Sequence, residues 1–153
     1  MTTQAKIQVT SSELGTLWMT YISISARSIV YDFFKNKTID KEAQDILNSY
    51  IADVQNVQNK IVNIFNNEEA VIPIGFDEHD EMKGAATLYD DFFHIMFLRQ
   101  TMKLNFGHSA VYSSMSYMKE VNDVFKLNYD ISNKYYMLTT NVSVKYYPHS
   151  YAL

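Results

Sequence analysis

Cysteine is absent from this chain of 153 residues, and glycine and proline are scarce. Without cysteine there can be no disulfide framework, no thiolate nucleophile and no cysteine-based zinc site. The four glycines and two prolines supply too few turn residues for a fold of many strands. Hydrophobic residues nevertheless make up 47% of the chain, which is typical of a globular protein with a real core.

Strong positive charge and long apolar runs are missing as well. The net charge of −4 argues against a basic field for nucleic acid. The apolar stretches are broken by charge within a few residues, so none is long enough to span a bilayer. Residues 1–10 lack the apolar run of a signal peptide. We expect a soluble, cytoplasmic protein without nucleic-acid or membrane partners.

Enzyme motifs are missing too. The sequence contains no Gly-x-Ser-x-Gly nucleophile motif, no Gly-x-Gly-x-x-Gly dinucleotide motif and no phosphate-binding Gly-Lys-Ser/Thr. We therefore predict no catalytic residues and a protein that is not an enzyme.

The stretch 40–67 carries the clearest pattern in the chain. Its apolar residues recur at alternating steps of four and three, which is typical of a long amphipathic helix packed lengthwise against other helices. These seam residues are Ala43, Leu47, Tyr50, Val54, Val57, Ile61 and Ile64. Such a seam cannot be buried alone, so the chain must supply partner helices.

Three further helices are predicted. Thr10 and Glu13 have the spacing of a capping box at the start of the first helix. Its predicted buried stripe is Leu14, Leu17, Trp18, Tyr21, Ile24, Ile29 and Phe33. The third helix has the stripe Leu88, Phe92, Ile95, Leu98, Met102, Phe106 and Ala110, and the fourth has Val121, Phe125, Asn128, Ile131, Tyr135, Leu138 and Val142. Gly107 lies inside the third helix, where we expect it to allow close packing against a neighbour.

The connections suggest the topology. Residues 1–153 form one predicted domain, with helices over about 11–36, 40–67, 87–116 and 120–143, a crossover over 68–86 and an aromatic tail over 144–153. Two short turns and one long middle link predict a ferritin-like four-helix bundle, in which two antiparallel hairpins are joined by a long crossover. Pro73 makes part of the link extended. We expect residues 71–76 to pack against the bundle, with Ile72 and Phe76 substantially buried.

Several segments also resemble a known family. They are Thr10–Tyr21 with its Leu-Trp-x-x-Tyr, Ile64–Asn66, the Pro-x-Gly-Phe of Ile72–Phe76, Leu88–Phe93 and Leu98–Gln100. The chain resembles an uncharacterised ferritin-like family of spore-forming bacteria, of unknown function and related to spore coat protein F-like proteins. The resemblance implies a ferritin-like four-helix fold and no established activity.

A ferritin-like bundle raises the question of a dinuclear metal centre. That centre needs Glu-x-x-His on two helices and a Glu on each of the other two. The sequence has no pair of Glu-x-x-His motifs, and Val54, Val57 and Ile131 stand where ligands would lie. We therefore expect no intact di-iron site and no cofactor.

One fragment leaves a metal alternative open. Asp91 and His94 share a helix face and could bind a single divalent ion with Glu13, Asp53 or Asp130. This alternative is a degenerate metalloprotein or oxidoreductase. The other interpretation is that Asp91 caps its helix and that His94 is a half-exposed aromatic.

Other polar residues give weaker signals. His79 lies among four acids at 77, 78, 80 and 81, which could bind a surface cation or form a solvated loop. His108 is expected to be structural and His149 to have no role. Arg99 borders the apolar stripe of the third helix, so we expect it to pair with a carboxylate, or less favourably to line a pocket for an acidic ligand.

The chain holds 12 tyrosines, many of them in its last third. Tyrosine favours interfaces because it combines an apolar body with a polar tip, although core packing explains it equally well. We therefore expect a non-enzymatic protein that acts by association, as a homodimer or with a coat-type partner, in the cytoplasm or on the spore. A small apolar ligand held near Trp18, Phe92 and Met96 is a third interpretation.

Overall fold

The computed structural model describes residues 8–146, and they form four long helices. The helices are α1 Ser11–Lys37, α2 Lys41–Asn67, α3 Asp91–Met115 and α4 Lys119–Tyr146, with one turn of 3₁₀ helix at Glu78–Asp80. No strand occurs among the described residues, so the predicted all-α four-helix bundle is confirmed. None of the helices in this part of the chain combines the length and the apolar character needed to cross a membrane.

Side-chain caps set where three helices begin. The predicted capping box is present at α1, where the Thr10 hydroxyl accepts from the Glu13 amide at 3.2 Å. Asp40 accepts from the amide of Ala43 at the start of α2. Asp90 caps α3 in the same way, so that helix begins four residues later than the predicted Thr87. In each case an oxygen satisfies a backbone N–H that has no partner within the helix.

The predicted seam of α2 forms the centre of the core. All seven of its residues are buried. Each of the other stripes is correct only in part. In α1 the predicted Trp18 is exposed and the predicted Phe33 is half-buried, whereas Tyr31 and Phe34 are buried. In α4 the predicted Leu138 is exposed, and Thr139 is buried.

The stripe of α3 needs the largest correction. Leu88 lies outside the helix and is exposed, and Ala110 is exposed as well. Buried polar residues fill part of this helix face instead, namely His94, Asn105 and Ser109. A Cβ added at Gly107 would meet no atom within 4 Å, so the expected close packing inside the chain is wrong.

Contacts at the two ends give the helix directions. The ends of α2 and α4 meet in opposite senses, since Glu42 near the start of α2 pairs with Lys145 near the end of α4. Tyr31, late in α1, donates to Thr101 in the first half of α3 at 2.7 Å. Neighbouring helices are therefore antiparallel, while α2 and α3 run the same way. This arrangement requires the long link, residues 68–90, to return along the bundle.

The crossover is attached to α1 through its backbone. Pro73 is buried and Ile72 is half-buried, but Phe76 is 50% exposed and Ile74 is almost fully exposed. The expectation that Phe76 is substantially buried is therefore wrong. The Phe76 amide donates to Ser25 Oγ at 3.0 Å, and a Cβ on Gly75 would lie 2.6 Å from the same oxygen. Close backbone approach, and not insertion of aromatic side chains, anchors this segment.

The predicted aromatic tail is described only in part. Residues 144–146 continue α4, whereas residues 147–153, with Pro148, His149 and Tyr151, lie outside the described residues. Residues 1–7 of the predicted lead-in also lie outside them.

Candidate functional site

Asp91 lies at the first position of α3 and faces the turn between α1 and α2. Its carboxylate accepts from the amide of Asp40 at 2.7 Å and from the amide of Ile39 at 3.0 and 3.1 Å. These amides precede the first turn of α2. Asp91 therefore caps α2, a helix of the other hairpin. These hydrogen bonds occupy carboxylate lone pairs that a metal ion would need.

His94 is fully buried, and the expected half-exposed position is wrong. Its ring stacks on Phe34 with centroids 4.3 Å apart. Thr38 donates its hydroxyl hydrogen to the Phe34 carbonyl at 2.7 Å, so Nδ1 of His94 donates to Thr38 Oγ1 at 2.9 Å. Nε2 is then left as an acceptor without a partner.

Burial lowers the pKa of His94, against an opposing pull from the carboxylates of Asp91 and Asp90. The lowered pKa favours the neutral imidazole of His94, the form that binds metals. Within residues 8–146, however, no group of three or more His, Cys, Asp or Glu is placed to hold a metal ion. The metal site at Asp91 and His94 stays a prediction.

The suggested additional ligands have other partners. Asp53 accepts from Tyr135 Oη at 2.6 Å and from Lys134 Nζ at 2.8 Å. Asp130 is exposed on α4. Glu13 lies at the end of the bundle opposite Asp91. The structure does not bring these three carboxylates to His94.

Glu13 is the most heavily bonded carboxylate in the described chain. It is 2% exposed. Oε2 accepts from the Thr10 amide and hydroxyl at 2.8 and 2.9 Å, and Oε1 accepts from the amides of Tyr117 and Met118 at 2.7 and 2.8 Å. Burial by itself raises the pKa of Glu13, but these hydrogen bonds lower it overall. The sequence revealed the capping box but not the contact with the turn between α3 and α4.

Arg99 has no carboxylate partner among the described residues, contrary to expectation. Its guanidinium donates to Thr140 Oγ1 at 2.9 Å and to Tyr136 Oη at 2.8 Å. The same group lies 4.6 Å from the centroid of the Tyr136 ring. Cation–π contact and hydroxyl acceptors thus take the place of the expected ion pair.

His79 lies in the crossover and His108 lies on α3, and both are exposed. The acids around His79 form local caps, with Asp77 accepting from the His79 amide and Asp80 accepting from the Asp77 amide. This matches a solvated loop and does not test cation binding. His108 is exposed on α3 and stacks near Tyr112, with centroids 5.9 Å apart.

The tyrosines divide between the core and the surface. Tyr31, Tyr50 and Tyr135 form a buried edge-to-face series with successive centroids 5.2 Å apart. Tyr117 and Tyr129 are exposed, so they do not serve the core. Trp18 packs against Phe65, and the main cavities among the described residues are lined by neither Trp18 nor Phe92 nor Met96. The apolar-ligand interpretation gains no support.

A row of exposed apolar side chains follows α3. Phe97, Leu104, Val111 and Met115 are spaced seven, seven and four residues apart, which places them on one side of a helix. Leu104 is 68% exposed. Met19 and Val30 are exposed on the neighbouring α1. We call these six residues the α1–α3 face. The predicted stripes contain none of them, and sequence analysis assigned them no role.

Fold and surface together define a four-helix-bundle protein with one long crossover and an exposed apolar face. The chain belongs to the family described as "Protein of unknown function (DUF3231)", whose model matches residues 1–146. The predicted membership of an uncharacterised family is therefore confirmed. No curated protein matches the chain.

One solved structure has the same fold. It is the crystal structure of a "putative spore coat protein" from Bacillus halodurans, with a TM-score of 0.82 and 10% sequence identity. The match covers 91% of this chain and 90% of that chain. At this identity the likeness concerns the fold.

Proposed function

We propose that this is a non-enzymatic, ferritin-like helical-bundle protein that acts by association with copies of itself, as a homodimer or within a coat-type assembly. The observation that carries the proposal is the α1–α3 face. Single exposed apolar residues are ordinary on a protein surface, but an aligned row is not. From Phe97 to Met115 the row runs ~27 Å along α3, long enough for a lengthwise helix contact.

The spacing favours a helical partner. Steps of seven and four residues are the steps of a coiled-coil seam, and a second copy offers the same seam in a symmetric contact. Gly107 lies at the edge of this row. A glycine inside a helix costs ~1 kcal/mol relative to alanine, and Gly107 has no intramolecular neighbour that requires it. Close packing of α3 against α3 of a second copy would explain why this position is a glycine.

The Bacillus structure supports a coat-type role in the spore because of how that protein is described. Synthesis in the cytoplasm followed by incorporation into a spore layer is consistent with this proposal. Neither nucleic acid nor membrane is part of it, since the chain is acidic.

Light scattering coupled to size exclusion tests the proposal. The parent should elute as a dimer or larger species, and Leu104→Glu should be a monomer with unchanged helical circular dichroism. The control Asn133→Glu adds the same charge at an exposed position of α4 and should keep the parent's mass. A parent that stays strictly monomeric at high concentration would refute self-association.

A second candidate function is metal binding at His94, favoured by its buried and unpartnered Nε2. Elemental analysis of protein purified without a polyhistidine tag tests this candidate. Stoichiometric iron, manganese or zinc that is lost in His94→Ala would support it. Protein free of these metals after growth in metal-supplemented medium would exclude it.

A further inference from the structure

A small cavity lies between α1, α3 and α4. Its volume is about 90 Å³, and its lining includes Thr20, Arg27, Asn105, His108 and Asn128. Thr20 and both asparagines are buried, whereas His108 is exposed and marks the mouth. The site is distinct from the region of Asp91 and His94, and neither the comparisons nor the proposed function assigns it a ligand.

Two buried amide groups have unused hydrogen-bonding capacity. Asn105 is 6% exposed, and its Nδ2 has no partner. Asn128 is 3% exposed, and its Oδ1 has no partner, although its Nδ2 donates to Ser109 Oγ at 3.0 Å. Buried polar groups are nearly always hydrogen-bonded, so this pair needs a third component.

The charge of the cavity points to an anion. Arg27 donates through Nε to the Ser23 carbonyl at 3.1 Å, and the structure gives its two terminal nitrogens no carboxylate partner within the described residues. No aspartate or glutamate lines the cavity. Guanidinium nitrogens and an amide N–H₂ are suitable donors for a carboxylate, and their charge-assisted bonds are strong.

The unpaired Oδ1 of Asn128 requires that the ligand also carry a hydrogen-bond donor. The Asn128 Oδ1 needs a donor, which a bare carboxylate lacks and which a hydroxyl supplies. An engineered cavity of ~150 Å³ holds a six-atom ring, so a smaller cavity suits a molecule of roughly four to six non-hydrogen atoms.

We propose that this cavity binds a short hydroxycarboxylate. Arg27 and Asn105 hold the carboxylate, and Asn128 accepts from the hydroxyl. Ordered water is the competing occupant. Because the mouth opens beside Met19 on the α1–α3 face, association of two copies would cover it. The site itself belongs to one chain and does not depend on association.

Glycolate is the probe, with acetate and glycolamide as matched comparisons that remove the hydroxyl and the charge. Titration calorimetry and thermal shift at up to ~10 mM should show glycolate binding the parent and raising its melting temperature. Acetate and glycolamide should each bind at least ~10-fold more weakly, the change expected from losing one good hydrogen bond.

Arg27→Gln should abolish glycolate binding, whereas Arg99→Gln, the same change at the chain's other arginine, should retain it. If Arg27→Gln does not fold, Asn105→Asp provides the second variant, because its carboxylate would repel the ligand. Monomeric Leu104→Glu should still bind glycolate, which separates failure of this site from failure of the association proposal. Absence of binding to the parent, equal binding by Arg27→Gln, or a crystal soaked in glycolate with only water in the cavity would each overturn the proposal.

Discussion

Replacing Glu13 by glutamine tests the carboxylate that joins α1 to the turn between α3 and α4. Glutamine keeps the shape, but only one of its two terminal atoms can accept hydrogen bonds. If its oxygen faces the amides of Tyr117 and Met118, its N–H₂ group faces the amide of Thr10. One backbone donor then loses its acceptor, and the other two lose charge assistance.

The expected loss in free energy of unfolding follows from the hydrogen bonds that Glu13→Gln removes or weakens. An unsatisfied buried donor costs ~1–3 kcal/mol, and a hydrogen bond to a charged group exceeds a neutral one by ~1 kcal/mol. Because part of this loss is relieved by rotation of the Thr10 hydroxyl, we expect Glu13→Gln to lower the free energy of unfolding by ~2–4 kcal/mol. For a domain of this size, that corresponds to a fall in melting temperature of ~4–16 °C.

The assay is thermal and urea unfolding of both proteins by circular dichroism. Glu120→Gln is the matched control, because Glu120 is exposed in the first turn of α4. It should change stability by less than ~0.5 kcal/mol. Equal melting temperatures for Glu13→Gln and Glu120→Gln would refute the inferred role of Glu13.

The same carboxyl predicts a pH dependence. Its folded-state pKa lies below the ordinary value of 4.5, because the hydrogen bonds outweigh burial. Its stabilisation is therefore fully present above pH ~4.5 and is lost as the pH falls through the lowered folded pKa. The stability difference between the parent and Glu13→Gln should shrink over that acidic range. A difference that stays constant or grows below pH ~4.5 would contradict the sign of the shift.

Three further changes test other parts of the fold. Asp91→Ala should cost ~0.5–2 kcal/mol in urea unfolding, because two amides at the start of α2 lose their capping acceptor, and an unchanged midpoint would contradict that role. Gly75→Ala should cost ~1–3 kcal/mol by forcing a methyl group against Ser25, whereas Gly107→Ala in the monomeric Leu104→Glu background should stabilise the chain by ~1 kcal/mol, and equal effects on melting temperature in that background would contradict this contrast. Phe76→Ala should cost only ~1 kcal/mol in thermal unfolding because the ring is half exposed, and a loss of ~3 kcal/mol or more would show that the crossover buries it.

Periodicity predicted the parts of the fold that depend on one helix at a time. The seam of α2 is correct at every position because apolar side chains three and four apart must lie on one helix face. The capping box of α1 is also local, since Thr10 and Glu13 are neighbours in sequence. The start of α3 was missed because Leu88 fits the apolar period, while the cap at Asp90 ends the link first.

Long-range polar contacts could not be predicted in this way. The burial of Asn128 follows from its place in the helical period of α4, but an apolar count predicts no burial for Asn105, whose burial depends on how α1, α3 and α4 meet. Phe76 shows the opposite error. Transfer free energy favours burying an aromatic ring, but the close backbone contact at Gly75 orients the crossover and leaves that ring at the surface.

Glu13 and Asp91 each lie at the start of a helix and also bind the turn of the other hairpin. Glu13 begins the first helix of one hairpin and caps the turn before α4, the second helix of the other hairpin. Asp91 begins α3 and caps the turn before α2 in the reciprocal way. Each short turn exposes backbone N–H groups that its own hairpin leaves unpaired, and a neighbouring antiparallel helix supplies the missing acceptor.

A hairpin docked in the wrong direction would leave the buried Glu13 without its partners, at a large desolvation cost, and would remove the cap that Asp91 supplies to the start of α2. These carboxylates thus select the docking of the two hairpins. The acidic residues at the starts of α1 and α3 stabilise this topology. This topology leaves the six apolar side chains of the α1–α3 face exposed, and the association that we propose uses that face.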